Sequence, residues 1–157
     1  MKPKIMILTS CSKSKLDRSS KAIELYQGQL FKMIVKLSRK IDAKLKILSA
    51  KYGLIDSDDV IEPYEKRIET MQDILRLKSA TNDQFEKYLQ NYDKILVIMG
   101  KKYRKVVEDY LDHPKVVIAI DKRGIGGYLQ LISTLLKKEP KRLIEIISKQ
   151  KVIELPT

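Results

Sequence analysis

Small hydroxyl side chains and lysines follow directly on the first apolar run of the chain, where residues 10–15 read Ser-Cys-Ser-Lys-Ser-Lys. Backbone amides, hydroxyls and ammonium groups in such a segment can converge on a phosphate. The segment is not a Walker A loop, because the glycines of that motif are absent. The alternative is a solvated polar loop whose serines cap a helix. We expect this segment to bind an anionic ligand through Ser10, Cys11, Ser12, Lys13 and Lys15.

Cys11 lies in the same segment and is the only cysteine of the chain. Neighbouring lysines and a helix N-terminus could activate its thiol as a nucleophile. The only histidine, His113, precedes the fourth apolar run and so belongs at the opposite edge of a sheet, which argues against a Cys–His pair. Cys11 and Lys15 are therefore the candidates for catalysis, and a packing role for Cys11 stays open. One cysteine and one histidine make a zinc centre unlikely to form, so we expect no metal and no cofactor.

A second polar segment, rich in tyrosine and acids, follows the second apolar run. A glycine at position 53 lets the chain turn, and a proline at position 63 stiffens its return. Tyrosines there can stack on a base, and a lysine can neutralise phosphate. We expect a ligand site at Lys51, Tyr52, Gly53 and Tyr64. The acids Asp59, Glu62 and Glu65 could act as general bases or bind a metal, but a solvated acidic loop is the favoured interpretation.

Three glycines lie within residues 121–128, after the fourth apolar run. Glycines at a junction between a strand and a helix let the backbone approach a ligand, and the helix N-terminus favours an anion. The segment is at most half of a dinucleotide fingerprint, because the first strand lacks GxGxxG. We expect phosphate binding by Arg123, Gly124 and Gly126. Residues 100–105 give the third apolar run a similar basic exit.

The elements that position these segments can be predicted from periodicity. Four apolar runs have strand character: residues 4–9, 44–49, 94–99 and 115–120. Helical spacing of apolar residues fills the intervals, so residues 1–157 are expected to form a single α/β domain. Its central sheet should be mostly parallel, with about four strands and helices on both faces. The sequence from Thr81 to Gln84 fits a capping box and predicts that a separate helix begins there, and Pro140 is expected in the first turn of the last helix.

In an open sheet of this kind the ligand lies beyond the carboxyl ends of the strands. The segments 10–20, 49–67 and 121–128 each follow a predicted strand. If the four strands are parallel, these segments meet at the same edge of the sheet. The sequence therefore predicts that they face one common cleft.

The net charge of +12 and the pI near 9.6 favour a polyanionic partner. Six bases stand against one acid in residues 36–51, and six against two in residues 137–151. Residues 56–73 are the opposite, with seven acids and two bases. The alternative is an incidental lysine surface from a lysine-rich proteome. No apolar run approaches the roughly 20 residues of a membrane span, and the start lacks a signal-peptide pattern, so a cytoplasmic protein without a membrane partner is expected.

Several of these motifs occur together in known families. The Ser-Cys-Ser-Lys start, Leu-Ser-Ala-Lys-Tyr-Gly-Leu at residues 48–54 and Glu-Pro-Tyr-Glu at residues 62–65 resemble an uncharacterised family of small prokaryotic and phage α/β proteins. The second half of this pattern is similar to that of the YaaA-like peroxide-stress proteins. That resemblance implies DNA binding and protection from oxidative damage. A fainter likeness, to the lysine motif of archaeosine synthase, rests on Cys11, Ser12 and Lys15 and implies nucleobase chemistry.

The favoured prediction is a protein that binds nucleic acid or a nucleotide-like anion, with a role in DNA protection or stress response implied by the resemblance. An enzyme that acts on a nucleobase or nucleoside, of a glycosylase or transferase type, is the first alternative. A structural or interaction domain is the second. The sequence does not predict an oligomeric state.

Overall fold

A computed structural model describes residues 2–155. Its elements in chain order are β1 (Ile5–Ser10), β2 (Ser20–Lys21), α1 (Ala22–Leu25), α2 (Gln29–Lys40), β3 (Lys44–Ser49), β4 (Gly53–Asp56), β5 (Val60–Ile61), α3 (Met71–Asn91), β6 (Lys94–Ile98), α4 (Lys101–Val106), a 3₁₀ turn (Glu108–Tyr110), β7 (Val116–Ala119), α5 (Ile125–Leu136), α6 (Pro140–Lys149) and β8 (Val152–Ile153). The prediction of Pro140 in the first turn of the last helix is confirmed.

The central sheet is mostly parallel, as predicted, and its order is β4-β3-β1-β6-β7-β8. The four predicted strands are all parallel to one another, and their apolar runs are buried because helices cover both faces. The sheet has six strands, so the expectation of about four is wrong. Strand β8 extends one edge in parallel, and β4 extends the other edge antiparallel to β3. Both added strands are too short for a clear periodicity in the sequence.

Two apolar layers enclose the sheet. Side chains of α1, α2, α5 and α6 pack on one face around Phe31, Ile34 and Leu131. Side chains of α3 and α4 pack on the other face around Leu77 and Phe85. Successive side chains of β1 point to opposite faces of the sheet, so Ile5 and Ile7 belong to one layer and Met6 and Leu8 to the other. Because both faces are covered, every residue from Ile5 to Thr9 is buried.

Helix α3 runs without interruption from Met71 to Asn91, so the predicted helix start at Thr81 is wrong. The capping box is at Thr70, whose hydroxyl accepts the amide of Asp73 while the Asp73 carboxylate accepts the amide of Thr70. Thr81 is buried at 1% exposure, and its hydroxyl donates to the carbonyl of Lys78 in the preceding turn. Its position on the apolar face of α3 therefore outweighs its capping propensity.

Segment 49–67, in which the sequence predicts no strand, contains β4 and β5. Gly53 has a φ of +76°, which lets the chain reverse directly after β3 and pair with it. Strand β5 then pairs with β2 in a separate two-stranded sheet. These pairings order the segment that follows the second predicted strand.

The topology contains one point at which the direction of the strand order reverses. From β1 the chain passes through α2 to β3 on one side, whereas from β6 it passes through α4 to β7 on the other side. The strands β1 and β6 are neighbours. In doubly wound sheets the crevice beyond the carboxyl ends of such a strand pair is the usual ligand site.

Candidate functional site

A cleft of about 940 Å³ lies at this reversal point, beyond the carboxyl ends of β1, β6 and β7. Its volume falls within the range of small-molecule sites, about 300–1,000 Å³. Four parts of the chain line it: residues 9–14, 28–31, 98–104 and 120–128, the last two with gaps. Among the residues predicted to bind a ligand, the cleft contains Ser10, Cys11, Ser12, Lys13 and Gly124.

Two twelve-residue helices begin at the cleft with glycine as the N-cap. Neither Gly28, before α2, nor Gly124, before α5, supplies a side-chain cap, so the first amides of both helices keep their donor capacity. Gly28 also lets the first loop approach α2, because a Cβ there would lie 3.0 Å from the Oγ of Ser12. That Oγ accepts the Gly28 amide at 3.1 Å. Lysines 13, 101 and 122 also line the cleft.

A half-buried guanidinium adds positive charge inside the cleft. One nitrogen of Arg104 donates to the carbonyl of Met99 at 3.1 Å and to the hydroxyl of Tyr128 at 2.6 Å. Both acceptors are neutral oxygens, so these contacts orient the guanidinium without cancelling its charge. Sequence reasoning did not single out Arg104, although the basic exit of the third strand contains it.

The other surfaces of the cleft are apolar or aromatic. Phe31 and Tyr103 contribute to its lining, and Ile125 is 70% exposed. None of the three was predicted as a site residue. Phe31 and Ile125 lie at the starts of α2 and α5, and a helical spacing alone cannot show which apolar side chain faces a cleft rather than the core.

Cys11 lies between the cleft and a group of tyrosines. Its sulfur is 3.3 Å from the hydroxyl of Tyr103. Burial, followed by the adjacent Cys11, raises the pKa of Tyr64 and of Tyr103 far above the ordinary value of a tyrosine. Both phenols therefore keep their protons, and the hydroxyl of Tyr103 can donate to the sulfur.

A hydroxyl chain fixes Tyr64 against Cys11. The Oγ of Ser49 accepts the amides of Lys51 and Tyr52, which leaves its proton for the Tyr64 hydroxyl at 2.6 Å. The Tyr64 hydroxyl also contacts that of Tyr26 at 2.6 Å. Tyr64 is thus held as a wall at the end of β3.

This wall divides the expected common cleft, so the prediction that segments 10–20, 49–67 and 121–128 face a single cleft is wrong. Lys51 and Tyr64 line a second, shallower cavity of about 520 Å³ with Pro63, Glu65, Lys66 and Arg76. The ring of Tyr52 packs edge-on against Tyr64 at 5.4 Å, and Gly53 begins β4 beside it. All these segments lie at the carboxyl edge of the parallel strands, but residues of segment 49–67 line the second cavity and none of them lines the cleft.

Lys15 lies behind the wall rather than in the cleft. Its ammonium is 4.5 Å from the centre of the Tyr64 ring and 5.8 Å from that of Tyr26. Burial lowers the pKa of Lys15, although the neighbouring Cys11 and Glu65 partly oppose this shift. Lys15 therefore contacts Tyr64 and does not line the cleft. It can affect the cleft only through the position of Tyr64.

The side chain of Arg123 is engaged by neighbouring protein groups, whereas Gly126 lies in the first turn of α5, whose amides face the cleft. The guanidinium of Arg123 donates to both carboxylate oxygens of Asp121, at 3.0 and 2.8 Å, and to Gln130. These hydrogen bonds lower the pKa of Asp121. Gly126 is exposed at the start of α5, and nothing lies within 4 Å of a Cβ built there. Gly127, by contrast, packs directly against the Asp121 carboxylate.

Within residues 2–155, no group of three or more His, Cys, Asp or Glu side chains is arranged to hold a metal ion. The acids Asp59, Glu62 and Glu65 do not gather into such a group. In the same part of the chain, no helix has both the length and the apolar character to cross a membrane.

Comparisons with known proteins give one match. No curated protein and no solved structure matches the chain significantly. The resemblance to YaaA-like proteins and to archaeosine synthase therefore stays a prediction. A family model described as a family of unknown function, DUF6884, matches residues 6–134, which include every residue that lines the cleft. The chain belongs to this family.

Proposed function

We propose that the cleft binds a nucleotide-like anion, either a free nucleotide or a nucleotide unit of a nucleic acid. One observation carries this proposal: two helix N-termini without side-chain caps and the Arg104 guanidinium, whose partners are neutral, lie in the same cleft. Amides at helix N-termini and a guanidinium are the groups that proteins use for phosphate. The flanking Lys13, Lys101 and Lys122 would add long-range attraction.

The remaining lining suits the rest of a nucleotide. Tyr103 and Ile125 offer apolar surface on which a base can pack, and the buried Phe31 supports it from behind. The hydroxyl of Ser10 can exchange hydrogen bonds with a sugar or with phosphate oxygens, whereas the hydroxyl of Ser12 already donates to the carbonyl of Ser14 at 2.7 Å. A role in DNA protection or stress response is implied only by the YaaA-like resemblance and stays an expectation.

Calorimetric titration with adenosine and guanosine monophosphates, their nucleosides and inorganic phosphate tests the proposal. We expect monophosphates to bind more tightly than nucleosides, because the phosphate meets the cationic part of the cleft. The double variant Lys101→Gln/Lys122→Gln should weaken monophosphate binding about 2- to 30-fold, since an exposed charge contributes about 0.2–1 kcal/mol. It should leave nucleoside binding unchanged.

The matched control is Lys87→Gln/Lys102→Gln, which removes the same charge from exposed positions on α3 and α4. Equal weakening by both double variants would reduce the effect to net charge. No binding of any monophosphate to the folded wild-type protein would refute the proposal.

A second candidate function is favoured by the contacts of Cys11. Its sulfur lines the cleft, and a hydrogen bond from the Tyr103 hydroxyl at 3.3 Å would stabilise the thiolate before attack. The thiolate would form a bond to C1′ of a nucleoside while the bond from C1′ to the base breaks, the base would leave with a proton from water, and water would then hydrolyse the bond between sulfur and C1′. Release of free base from nucleosides or nucleic acid, followed by chromatography, tests this enzyme. Release that is lost in Cys11→Ser would support it. Three results together would support the binding protein instead. Iodoacetamide would modify Cys11, bound monophosphate would protect it, and any turnover would persist in Cys11→Ser.

A further inference from the structure

Two basic blocks that are distant in sequence come together at the edge of the sheet opposite the cleft. Helices α2 and α5 pack side by side, both begin at the cleft, and both run toward the amino ends of the strands. The ammonium of Lys40, in the last turn of α2, donates to the carbonyl of Leu136, the last residue of α5, at 2.5 Å. The end of α2 therefore lies against the junction between α5 and α6. We call the surface formed there the basic face: Lys36, Arg39, Lys40, Lys137, Lys138, Lys141 and Arg142.

The charge of the basic face is largely uncompensated. The two blocks, residues 36–51 and 137–151, contain three acids, Asp42, Glu139 and Glu145, and Asp42 pairs with Lys2 at 3.6 Å. Arg142 bonds Glu145 at 2.7 Å, and among the seven bases it is the one with an ion pair in the described part of the chain. The other six therefore keep their positive charge available to a partner.

Local helix electrostatics explains one half of the face but not the other. Arg39 and Lys40 lie in the last turn of α2, where cations stabilise the helix. Lys141 and Arg142 lie in the first turn of α6, where cations are unfavourable, and that turn contains no acid and no side-chain cap. The carboxylate of Glu139, the N-cap residue of α6, offsets part of this unfavourable term, and an anion bound across the junction would offset more of it.

The composition of the face discriminates among polyanions. Among the large apolar side chains that residues 2–155 expose, Met71, Leu75 and Val152 lie on other elements, and Ile125 lies at the cleft end of α5. Stable binding to an anionic membrane needs an apolar anchor, and a protein interface needs an apolar centre. A single-stranded nucleic acid needs aromatic side chains on which its bases can stack. A nucleic-acid duplex needs none of these, because its contacts are dominated by phosphates. The part of α2 that belongs to the face, residues 36–40, spans about 6 Å and could contact about two phosphates of one strand, while α6 contributes further contacts.

We infer that the basic face binds the phosphate backbone of a nucleic-acid duplex without reading its sequence. This site lies at the opposite edge of the sheet from the cleft and does not depend on the ligand proposed there.

Fluorescence anisotropy with a labelled DNA duplex of about 20 base pairs, measured between about 50 and 200 mM salt, tests the inference. The test variant is Lys36→Gln/Lys141→Gln, one lysine from each block. Removal of two phosphate contacts should lower the magnitude of the slope of log K against log salt by about 2 and weaken binding about 60-fold at about 0.1 M salt. The control is Lys87→Gln/Lys102→Gln, with the same change of net charge on α3 and α4.

A loss of slope in the test variant but not in the control supports the inference, as does equal affinity for duplexes of unrelated sequence. An equal loss in both variants would show that net charge alone drives binding and would overturn it. So would a wild-type protein that does not bind the duplex, or one that binds phosphatidylserine vesicles while ignoring DNA. Monophosphate binding in the test variant is a separate readout and should not change. Unaltered circular dichroism confirms that the variant is folded.

Discussion

Two adjacent glycines at the start of α5 should respond in opposite ways to the same substitution. Gly126 and Gly127 both lie in the first turn of the helix that borders the cleft. A Cβ at position 126 would meet nothing within 4 Å. A Cβ at position 127 would lie 2.1 Å from Oδ1 and 2.4 Å from Cγ of Asp121. That carboxylate cannot simply turn away, because its side chain is 5% exposed and Arg123 holds both of its oxygens.

The magnitudes follow from two competing terms. Alanine is a better helix former than glycine, so Gly126→Ala should stabilise the protein by up to about 1 kcal/mol. Gly127→Ala gains the same helix term, but an overlap of this size costs about 1–3 kcal/mol. The helix term cancels in the comparison, so the two variants should differ by about 1–3 kcal/mol. At about 2–4 °C per kcal/mol for a chain of this length, their melting temperatures should differ by about 2–12 °C.

Thermal unfolding followed by circular dichroism measures this difference. Repeating both substitutions in an Asp121→Ala background isolates the overlap, because the carboxylate is then absent. In that background Gly127→Ala should stabilise the protein as much as Gly126→Ala does. Equal effects of the two alanines in the wild-type background, or a Gly127→Ala penalty that persists without Asp121, would refute the proposed packing of the loop between β7 and α5.

Two further predictions concern the stability of the fold: one tests the N-cap of α3, and the other tests the buried Tyr26 hydroxyl. Thr70→Ala should destabilise the protein by about 1 kcal/mol because it removes the N-cap of α3, whereas Thr70→Ser keeps the capping hydroxyl and should leave the stability near that of the wild type. Urea unfolding measures both variants, and an unchanged midpoint for Thr70→Ala would show that the cap is dispensable. Burial raises the pKa of Tyr26 to about 12. Since an unfolded tyrosine ionises near pH 10, the folded state favours the neutral phenol, and this contribution of about 2–3 kcal/mol is complete below about pH 10 and is lost as the pH rises through about 12. Tyrosinate absorbance should therefore rise late and together with unfolding, whereas titration of all eight tyrosines near pH 10 in a folded protein would contradict the hydroxyl cluster.

The parallel core of the sheet could be predicted from the sequence because its strands are nearly continuous apolar runs. Strand β4 could not, because it has four residues and depends on the reversal at Gly53, which a single glycine in the sequence does not specify. The error at Thr81 has a different cause. A threonine followed by polar residues resembles a helix start, and only the packing of α3 against the sheet shows that this threonine faces the core.

Only those parts of the candidate site that directly follow a strand could be predicted from the sequence. The polar segment after β1 and the glycine-rich segment after β7 could be placed at one edge from topology alone, and both contribute to the cleft, the second through Gly124. Arg104 and Phe31 could not be identified in this way. Their roles depend on how a helix rotates about its axis, and each belongs to a pattern that equally fits a solvated charge or a core side chain.

The arrangement of charge over the molecule follows from the same topology. Helices α2 and α5 both start at the carboxyl edge and end at the amino edge of the sheet. Their first turns carry no acid, and α2 carries two bases in its last turn. The pair of α2 and α5 therefore presents backbone amides to the cleft and cationic side chains to the opposite edge. Both ends of the pair attract anions, one through amides and the other through side chains. Substitution of lysines can remove the charge at the amino edge, whereas the positive helix ends at the cleft belong to the backbone and persist in any variant that keeps the fold.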